Sequence, residues 1–419
     1  MTYQETLNYL FASQPAFHLV GAAAYKPGFD NIYRLLETVG NPHKKMKCIH
    51  VAGTNGKGST SHLIAATLQE AGYKTGLFTS PHLVDFRERI RINGKCIDQQ
   101  SVINFVEQNK SVLEDVKPSF FETTFALAAD YFLKQNVDVC VIEVGLGGRL
   151  DSTNVITPDL CVITNIGLDH TDFLGNTMQS VAAEKAGIIK QGVPVVIGES
   201  STETYPIFAE KAQQLNAPIL FADTQNNDLT SWECELTGTY QLKNKNTAYC
   251  ALKCLCECGY NITEMSIRNG FKQVCTLTGL QGRWEMLQEN PLVICDTGHN
   301  AHGLQYVGQQ LKAYKPGKVH VVFGMVKDKD IDTALAMLPT NATYYFTQAG
   351  TSRALPATEL QQMAAKHQLK GNTYTNVEQA INVAYTQMCS DDMLFIGGSN
   401  YLVGEALSLP HFQHKIIDN

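Results

Sequence analysis

Short β-branched runs alternate with helical spacing from residue 46 onward, and that alternation decides the fold class. MKCIHV, KTGLFT, VDVCVIEV, DLCVITNI and VPVVIGE are bounded by Gly, Asn or Pro. They are apolar almost throughout rather than at every second residue, as buried strands of a mainly parallel sheet are. Between them STSHLIAATLQEAG and MQSVAAEKAGIIK carry helical periodicity, with Gly72 as a stop for the first. Strand–helix alternation makes this an α/β protein. The pattern loosens over residues 222–238, which read as hairpin and loop, and a helix is expected near residues 246–258. Alternation resumes after NPLVICDTGHNAHG, with strands near LVICDT, KVHVVFG, TYYFTQ and MLFIGG.

The first strand runs into HVAGTNGKGSTS, residues 50–61, a glycine-rich turn with a helix behind it. Such a context suits phosphate: glycine lets backbone N–H groups face an anion, and the helix N-terminus adds a favourable dipole. Two residues, Thr54 and Asn55, separate Gly53 from Gly56, where the common pattern has four, and Gly58 intrudes between Lys57 and Ser59. Lys57 can reach terminal phosphates, and the Ser59 and Thr60 hydroxyls can bond phosphate or face a metal. A chain of 419 residues exceeds one ordinary core. The expected organisation is an N-terminal P-loop-type domain with a mostly parallel sheet over residues 1–280. A linker over 281–290 and a smaller Rossmann-like α/β domain over 291–419 complete it, with an active cleft between the two units.

Further polar groups cluster at strand ends, where ligands gather in open α/β sheets. Ser80 precedes Pro81, which keeps it out of helical geometry; it reads either as an ordinary loop serine or as a Mg²⁺ partner. RIRING is a hairpin turning at Asn93-Gly94. FFETTFALAADYF has the spacing of a core helix, although Phe120, Phe121 and Glu122 at its start could line a flat aromatic ligand. In VIEVGLGGRLDSTN, Glu143 ends a strand and is a carboxylate candidate for phosphate-bound Mg²⁺, and the glycines after it let Arg149, Asp151 and Asn154 approach a substrate. His170 reads, on physics alone, as a hydrogen-bonding or core histidine. Lys185, on an Ala-rich helix, reads as snorkelling to the surface or paired with Glu184. The alternative is a buried, partly neutral amine able to take up CO₂ as a carbamate. In the second unit Arg283 suits phosphate, and Asp296 after a strand can bond a ribose hydroxyl, with His299 and Asn300 nearby.

These segments together resemble the folylpolyglutamate synthase/dihydrofolate synthase family, within the Mur ligase superfamily. HVAGTNGKGS, SPHL…ERIRING, EVGLGGRLDSTN and ITNIGLDH…AEKAGIIK match it in order, wording and spacing, and the likeness extends from GNP near residue 40 to YLVGE near residue 405. The resemblance implies an ATP-dependent ligase joining L-glutamate to dihydropteroate and to reduced folates through an acyl phosphate. It implies ATP contacts from Gly53, Asn55, Gly56, Lys57, Gly58, Ser59, Thr60, Arg283, Asp296 and His299, and from an asparagine that spacing assigns to Asn244, with Asn246 as the alternative. It implies Mg²⁺ at Ser80, Glu143 and His170, a carbamylated Lys185, and a pteroate site at Phe121, Glu122, Thr123, Arg149 and Asp151. Lys57, Lys185, His170 and Arg283 are the residues implied in catalysis. One departure stands in the second unit: Asp296-Thr297-Gly298-His299-Asn300-Ala301 replaces the family's Asp-x-Ala-His-Asn-Pro.

Composition limits the alternatives. A net charge of −7 argues against a nucleic-acid partner, and no apolar run approaches the ~20 residues that span a bilayer. The N-terminus lacks a signal peptide's features and reads as an amphipathic helix. Twelve cysteines sit mostly singly in apolar runs, as free thiols of a reducing cytoplasm. Cys250, Cys254, Cys256 and Cys258 form the exception, a cysteine-rich helix rather than a metal site, since no second cluster faces them. A monofunctional folylpolyglutamate synthase is the nearest alternative. A cell-wall Mur ligase would carry an extra N-terminal domain, for which about forty residues before the loop are too few. A regulatory nucleotide switch would leave Glu143, His170 and Lys185 without a purpose. A monomer is expected, because one chain supplies the whole site.

Overall fold

The computed structural model describes residues 1–14 and 28–412. The chain divides into two units, residues 1–82, 86–235 and 241–280 in the first, residues 83–85, 236–240 and those from 281 onward in the second.

The first unit is built on β1 (Cys48–Ala52), β2 (Thr75–Phe78), β3 (Ile90–Ile92), β4 (Lys95–Cys96), β5 (Val139–Glu143), β6 (Leu160–Ile163), β7 (Val195–Ile197) and β8 (Ile219–Phe221). They form one sheet in the order β4-β3-β2-β5-β1-β6-β7-β8. All neighbours are parallel except at the β2-β3 and β3-β4 edge, where RIRING makes its hairpin with φ of +46° at Asn93 and +76° at Gly94. Every residue of β1, β5 and β6 is buried, which is why these strands read as apolar runs, interrupted only by His50 in β1 and closed by Glu143 in β5. The chain leaves β1 toward β2 and later returns through β5 to β6 on its other side. That reversal opens a crevice at the carboxyl end of β1.

Helix Lys57–Glu70 follows β1 and is buried from Ser59 through Leu68, with little amphipathic character to aid its recognition. It packs on β2 and β5, and against helices Gln241–Glu257 and Glu264–Lys272. Gly270 makes the last approach possible, because a Cβ there would sit 2.6 Å from the Thr67 backbone. The N-terminal helix Tyr3–Ser13 carries a capping box between Thr2 and Glu5.

Two expectations need correction. Residues 222–238 contain no strand; a 3₁₀ turn at Ala222–Thr224 leads into irregular backbone. The helix expected near 246–258 begins at Gln241, because its buried side opens with Gln241, Asn244 and Lys245 instead of apolar residues. Hydrophobic spacing cannot reveal a buried face that starts polar.

The second unit is built on β9 (Glu285–Gln288), β10 (Leu292–Asp296), β11 (Val319–Phe323), β12 (Thr343–Phe346), β13 (Lys370–Thr373) and β14 (Met393–Gly397), ordered β13-β12-β11-β14-β10-β9. Only β9 runs antiparallel to its neighbour. Successive residues enter opposite apolar clusters. Ile294, Val321, Phe323, Tyr344, Phe346 and Phe395 face one, and Val293, Cys295, Val322, Tyr345, Leu394 and Ile396 the other. The sheet is thus covered on both faces. Two strands lie outside the expected set: β9, inside the expected linker, and β13, whose KGNT is polar and at the sheet edge.

Candidate active site

The phosphate loop is held by the segment that follows β6. Thr54 N donates to the Asn165 carbonyl at 3.0 Å, and Asn55 N donates to Asn165 Oδ1 at 2.9 Å. Thr164 Oγ1 donates to Asn55 O at 2.6 Å, and Thr54 Oγ1 donates to Gly167 O at 3.0 Å. Gly53, at φ +149°, lies so close to Thr164 that a Cβ would collide with its hydroxyl. The backbone N–H groups of Thr54 and Asn55 are therefore spent inside the protein. The N–H groups of the first turn of Lys57–Glu70 have no intrahelical acceptor. That helix starts at Gly56, φ +83°, with no side-chain cap. Sequence reasoning did not single out Asn165, although it stands just after a buried strand and inside the ITNIGLDH segment.

Lys57 Nζ arches back over the loop, donating to Gly53 O at 3.0 Å and Thr54 O at 3.2 Å. Ser59 and Thr60 are buried, and Ser59 Oγ accepts from Gln241 Nε2 at 3.2 Å. Asn244 lies against Gly56, close enough that a Cβ on that glycine would meet its Oδ1, and its Nδ2 donates to Gln241 Oε1 at 2.8 Å. Asn246 is committed elsewhere, donating to Ala222 O at 2.7 Å and accepting from Asn227 at 3.0 Å. Of the two asparagines that spacing left open, Asn244 is the one at the loop.

Glu143 closes β5 beside Val51 of β1 and is 4 % exposed. Its Oε2 accepts from Ser80 N at 3.1 Å, which places two of the candidate metal residues together. His170 sits at φ +51°, its N–H donating to Asp169 Oδ1 at 2.9 Å. It lines a cavity of about 60 Å³ together with Gly53, Lys57, Gly145, Asp169 and Lys185. Asp169 was absent from the sequence-derived set. A hydroxyl, a carboxylate and an imidazole are mostly hard donors, a fit for a divalent cation of the Mg²⁺ or Mn²⁺ kind.

Lys185 is 3 % exposed near the end of helix Met178–Ala186, so the snorkelling expectation fails. Its pairing with Glu184 fails as well. Arg149 takes that carboxylate, with Nη2 and Nε at 2.8 and 3.1 Å. Burial first, and then the nearby Lys57 charge, bring the Lys185 ammonium down to about 7, against the opposing pull of Asp169, Asp151 and Glu184.

The glycine run after β5 permits close packing. A Cβ on Gly145 would come within 2.6 Å of the Phe121 ring, and one on Gly148 within 2.7 Å of Glu184 O. Asp151 is buried, accepting from Leu146 N at 2.8 Å through Oδ2 and from Thr153 N at 2.9 Å through Oδ1. Burial pushes its carboxyl upward, and these donors oppose the shift. Glu122 is also buried, serving as the helix-side half of a capping box with Ser119. Thr123 is 2 % exposed, and Phe120 belongs to the core. The expected aromatic-ligand group thus separates: Phe121 reaches the glycine loop, while Glu122 serves its own helix.

In the second unit, Asp296 accepts from Tyr240 Oη at 2.6 Å, Trp284 N at 2.8 Å and Gly298 N at 2.7 Å. Its burial raises the carboxyl's affinity for a proton, against those bonds and the Arg283 charge. Arg283 Nη1 donates to Gly282 O at 3.2 Å and to Thr297 Oγ1. His299 Nδ1 lies 2.9 Å from Thr297 O. Asn300 caps helix Ala301–Ala313 through Gly303 N at 2.8 Å.

The four clustered cysteines do not converge. Cys250 meets Asn227, Cys256 donates to Ile262 O and Cys258 to Asp159 O. Burial pushes the Cys254 thiol up to about 12, so it stays protonated. No helix among the described residues is long and apolar enough to cross a membrane.

Comparison with known proteins matches two family models, the Mur ligase middle domain over residues 51–253 and the Mur ligase glutamate ligase domain over residues 282–400. The chain is 33 % identical to the dihydrofolate synthase/folylpolyglutamate synthase of Bacillus subtilis, covering 91 % of this chain and 94 % of that protein. Among solved structures, E. coli FolC in complex with DHPP and ADP is 30 % identical, with a TM-score of 0.86 and 97 % of both chains covered. A bifunctional folylpolyglutamate synthase/dihydrofolate synthase with Mn, AMPPNP and L-glutamate bound is also 30 % identical, at a TM-score of 0.83, covering 97 % of this chain and 98 % of that one.

Proposed function

This chain belongs to the folylpolyglutamate synthase/dihydrofolate synthase family of Mur ligases, and from that premise we propose how its residues carry out the family's reaction. It is an ATP-dependent ligase that joins L-glutamate to dihydropteroate and to reduced folates. The observation that carries the residue assignment is the convergence of Gly53, Lys57, His170 and Lys185 on one cavity at the carboxyl end of β1.

A carboxylate is a poor electrophile because its leaving group would be oxide. Transfer of the γ-phosphoryl group replaces oxide by phosphate, giving an acyl phosphate that the glutamate amine attacks; amide, phosphate and ADP result. Such a transfer needs positioning and charge neutralisation more than covalent help. The first-turn N–H groups from Lys57 to Ser59 would hold the phosphates, and the Lys57 ammonium would exchange its carbonyl partners for the phosphate charge. Asn244, at the same loop, is assigned to the nucleotide. Arg283, Asp296 and His299 are the nucleotide contacts proposed for the second unit.

Ser80, Glu143 and His170 would hold the divalent ion, which when bound neutralises phosphate charge. Lys185, deeply buried and with its ammonium brought down to about 7, is suited to add CO₂ with loss of a proton, and its carbamate would balance the local positive charge. Phe121, Arg149 and Asp151 are assigned to the pterin-bearing substrate. We place the enzyme in the cytoplasm, where a reducing environment suits its free cysteines.

Phosphate release from ATP with Mg²⁺ and L-glutamate tests the assignment, comparing dihydropteroate with a reduced folate monoglutamate. Release with both is expected. Release with the reduced folate alone would make it a dedicated polyglutamate synthase, and no stimulation by either would end the folate reading.

A further inference from the structure

His50 is a histidine in the middle of a fully buried parallel strand, three residues before the phosphate loop begins at Gly53. Nothing in the proposed chemistry uses it. Its Nε2 lies 2.8 Å from Thr153 Oγ1, and Thr153, itself fully buried, donates that hydroxyl to Asp151 Oδ1. Asp151 accepts Thr153 N on Oδ1 and Leu146 N on Oδ2.

The proton directions follow. The Thr153 hydroxyl donates its one proton to Asp151 Oδ1, so its oxygen accepts from His50 Nε2–H. Burial holds the imidazolium's proton loss down to about 3, so the ring is neutral and carries one N–H. Nδ1 is then a bare acceptor, and it is a buried atom without a hydrogen-bond partner among the described residues. Three bonds in series, His50 to Thr153 to Asp151 to Leu146 N, run from the strand that feeds the phosphate loop to the glycine loop that lines the cavity.

We infer that His50 and Thr153 are positioning residues, which act through Asp151 to set where the Gly145–Arg149 loop stands relative to the phosphate loop, and hence the affinity for the pterin-bearing carboxylate. A histidine that merely fills the strand could be replaced by leucine. One that fixes the loop cannot, because the series ends on Leu146 N, which Asp151 Oδ2 holds in the middle of the glycine run. The inference rests on the ligase reading above.

The test uses the purified full chain, with T153V and T153S, H50L and H50Q, and the H50L/T153V pair. T153V removes one hydroxyl at nearly constant shape; H50Q offers an amide N–H near the position of Nε2. T153V and H50L are expected to raise KM for dihydropteroate about tenfold, about 1.4 kcal/mol. KM for L-glutamate and the Kd of ADP are expected to stay within about twofold, and the double variant to be no worse than the worse single one, as members of one series are non-additive. T153S and H50Q recover most of the loss.

A T153V enzyme with parental KM values overturns the inference, as does a parallel loss of ADP affinity, which marks general loosening. Thermal melting of the ADP-bound variants separates unfolding from mispositioning, and T153S and H50Q keep the test open if T153V does not fold. If the parent enzyme itself ignores dihydropteroate while using reduced folate, the same KM ratio is read with reduced folate. Indifference to both acceptors overturns the ligase reading instead.

Discussion

Arg149 holds the Glu184 carboxylate at 2.8 Å, and in doing so removes the one partner that the sequence offers Lys185. Glu184 and Lys185 are adjacent in the chain yet serve different neighbours, and the lysine is left among groups of the cavity with its ammonium destabilised.

That destabilisation has a sign. The folded-state value of about 7 lies below the ordinary lysine value, so the unfolded chain binds the extra proton across the interval. The cost to folding is fully present below pH 7 and fades as pH rises toward the unfolded value near 10.4. K185M in CO₂-free buffer is expected to be the more stable protein at pH 6, by roughly 3–5 kcal/mol. The gap should shrink steadily toward pH 10. Urea midpoints at several pH values read it directly, and a gap that grows with pH would refute the burial of a destabilised ammonium.

Activity should move the other way. K185A is expected to lose on the order of 10²–10³ in kcat if a carbamate there helps position the transferring group. Formate or acetate, small enough for the vacated space and carrying the same charge as a carbamate, should return part of it. Phosphate release with and without added formate makes the comparison, and a K185A enzyme at parental rate would remove Lys185 from the mechanism.

Asn244 and Asn246 differ by two positions and face different neighbours, so their substitutions should separate. N244A is expected to weaken ADP binding about tenfold, and N246A to change it by less than about twofold while lowering the melting temperature. Calorimetric titration with ADP checks both, and equal effects would contradict the placement of Asn244 against Gly56.

Asn300 is a cap before it is anything else. N300A should cost about 1 kcal/mol, a fall of a few degrees in melting temperature. A fall no larger than that of a neutral surface variant would show that the bond to Gly303 N adds nothing measurable.

The parallel strands were legible because burial on both faces makes them continuous apolar runs, and the glycine-rich loop because few other structures need that spacing. The polar opening of helix Gln241–Glu257 was not, since its buried side meets the phosphate loop rather than a hydrophobic core. Residue by residue, the place of Lys57 was readable from the glycine-rich loop and that of Glu143 from the end of its strand. The state of Lys185 was not, because it depends on how deeply its helix is buried and on the nearness of Lys57, and no spacing rule reports either. Asp169 and Asn165 lie inside the ITNIGLDH segment, yet only His170 of that segment was singled out; what the motif does not report is the long-range bond of Asn165 and the place of Asp169 in the wall of one cavity.

The stitching of Thr54 and Asn55 to Asn165 has a thermodynamic consequence. A glycine-rich segment would ordinarily be costly to immobilise around a ligand, because glycine has the most backbone freedom to lose. Here folding has already removed that freedom with bonds that need no nucleotide. A nucleotide bound at this loop, as proposed, would meet a preorganised receptor, and the conformational entropy that binding would otherwise forfeit there has been settled in advance by the protein's own stability.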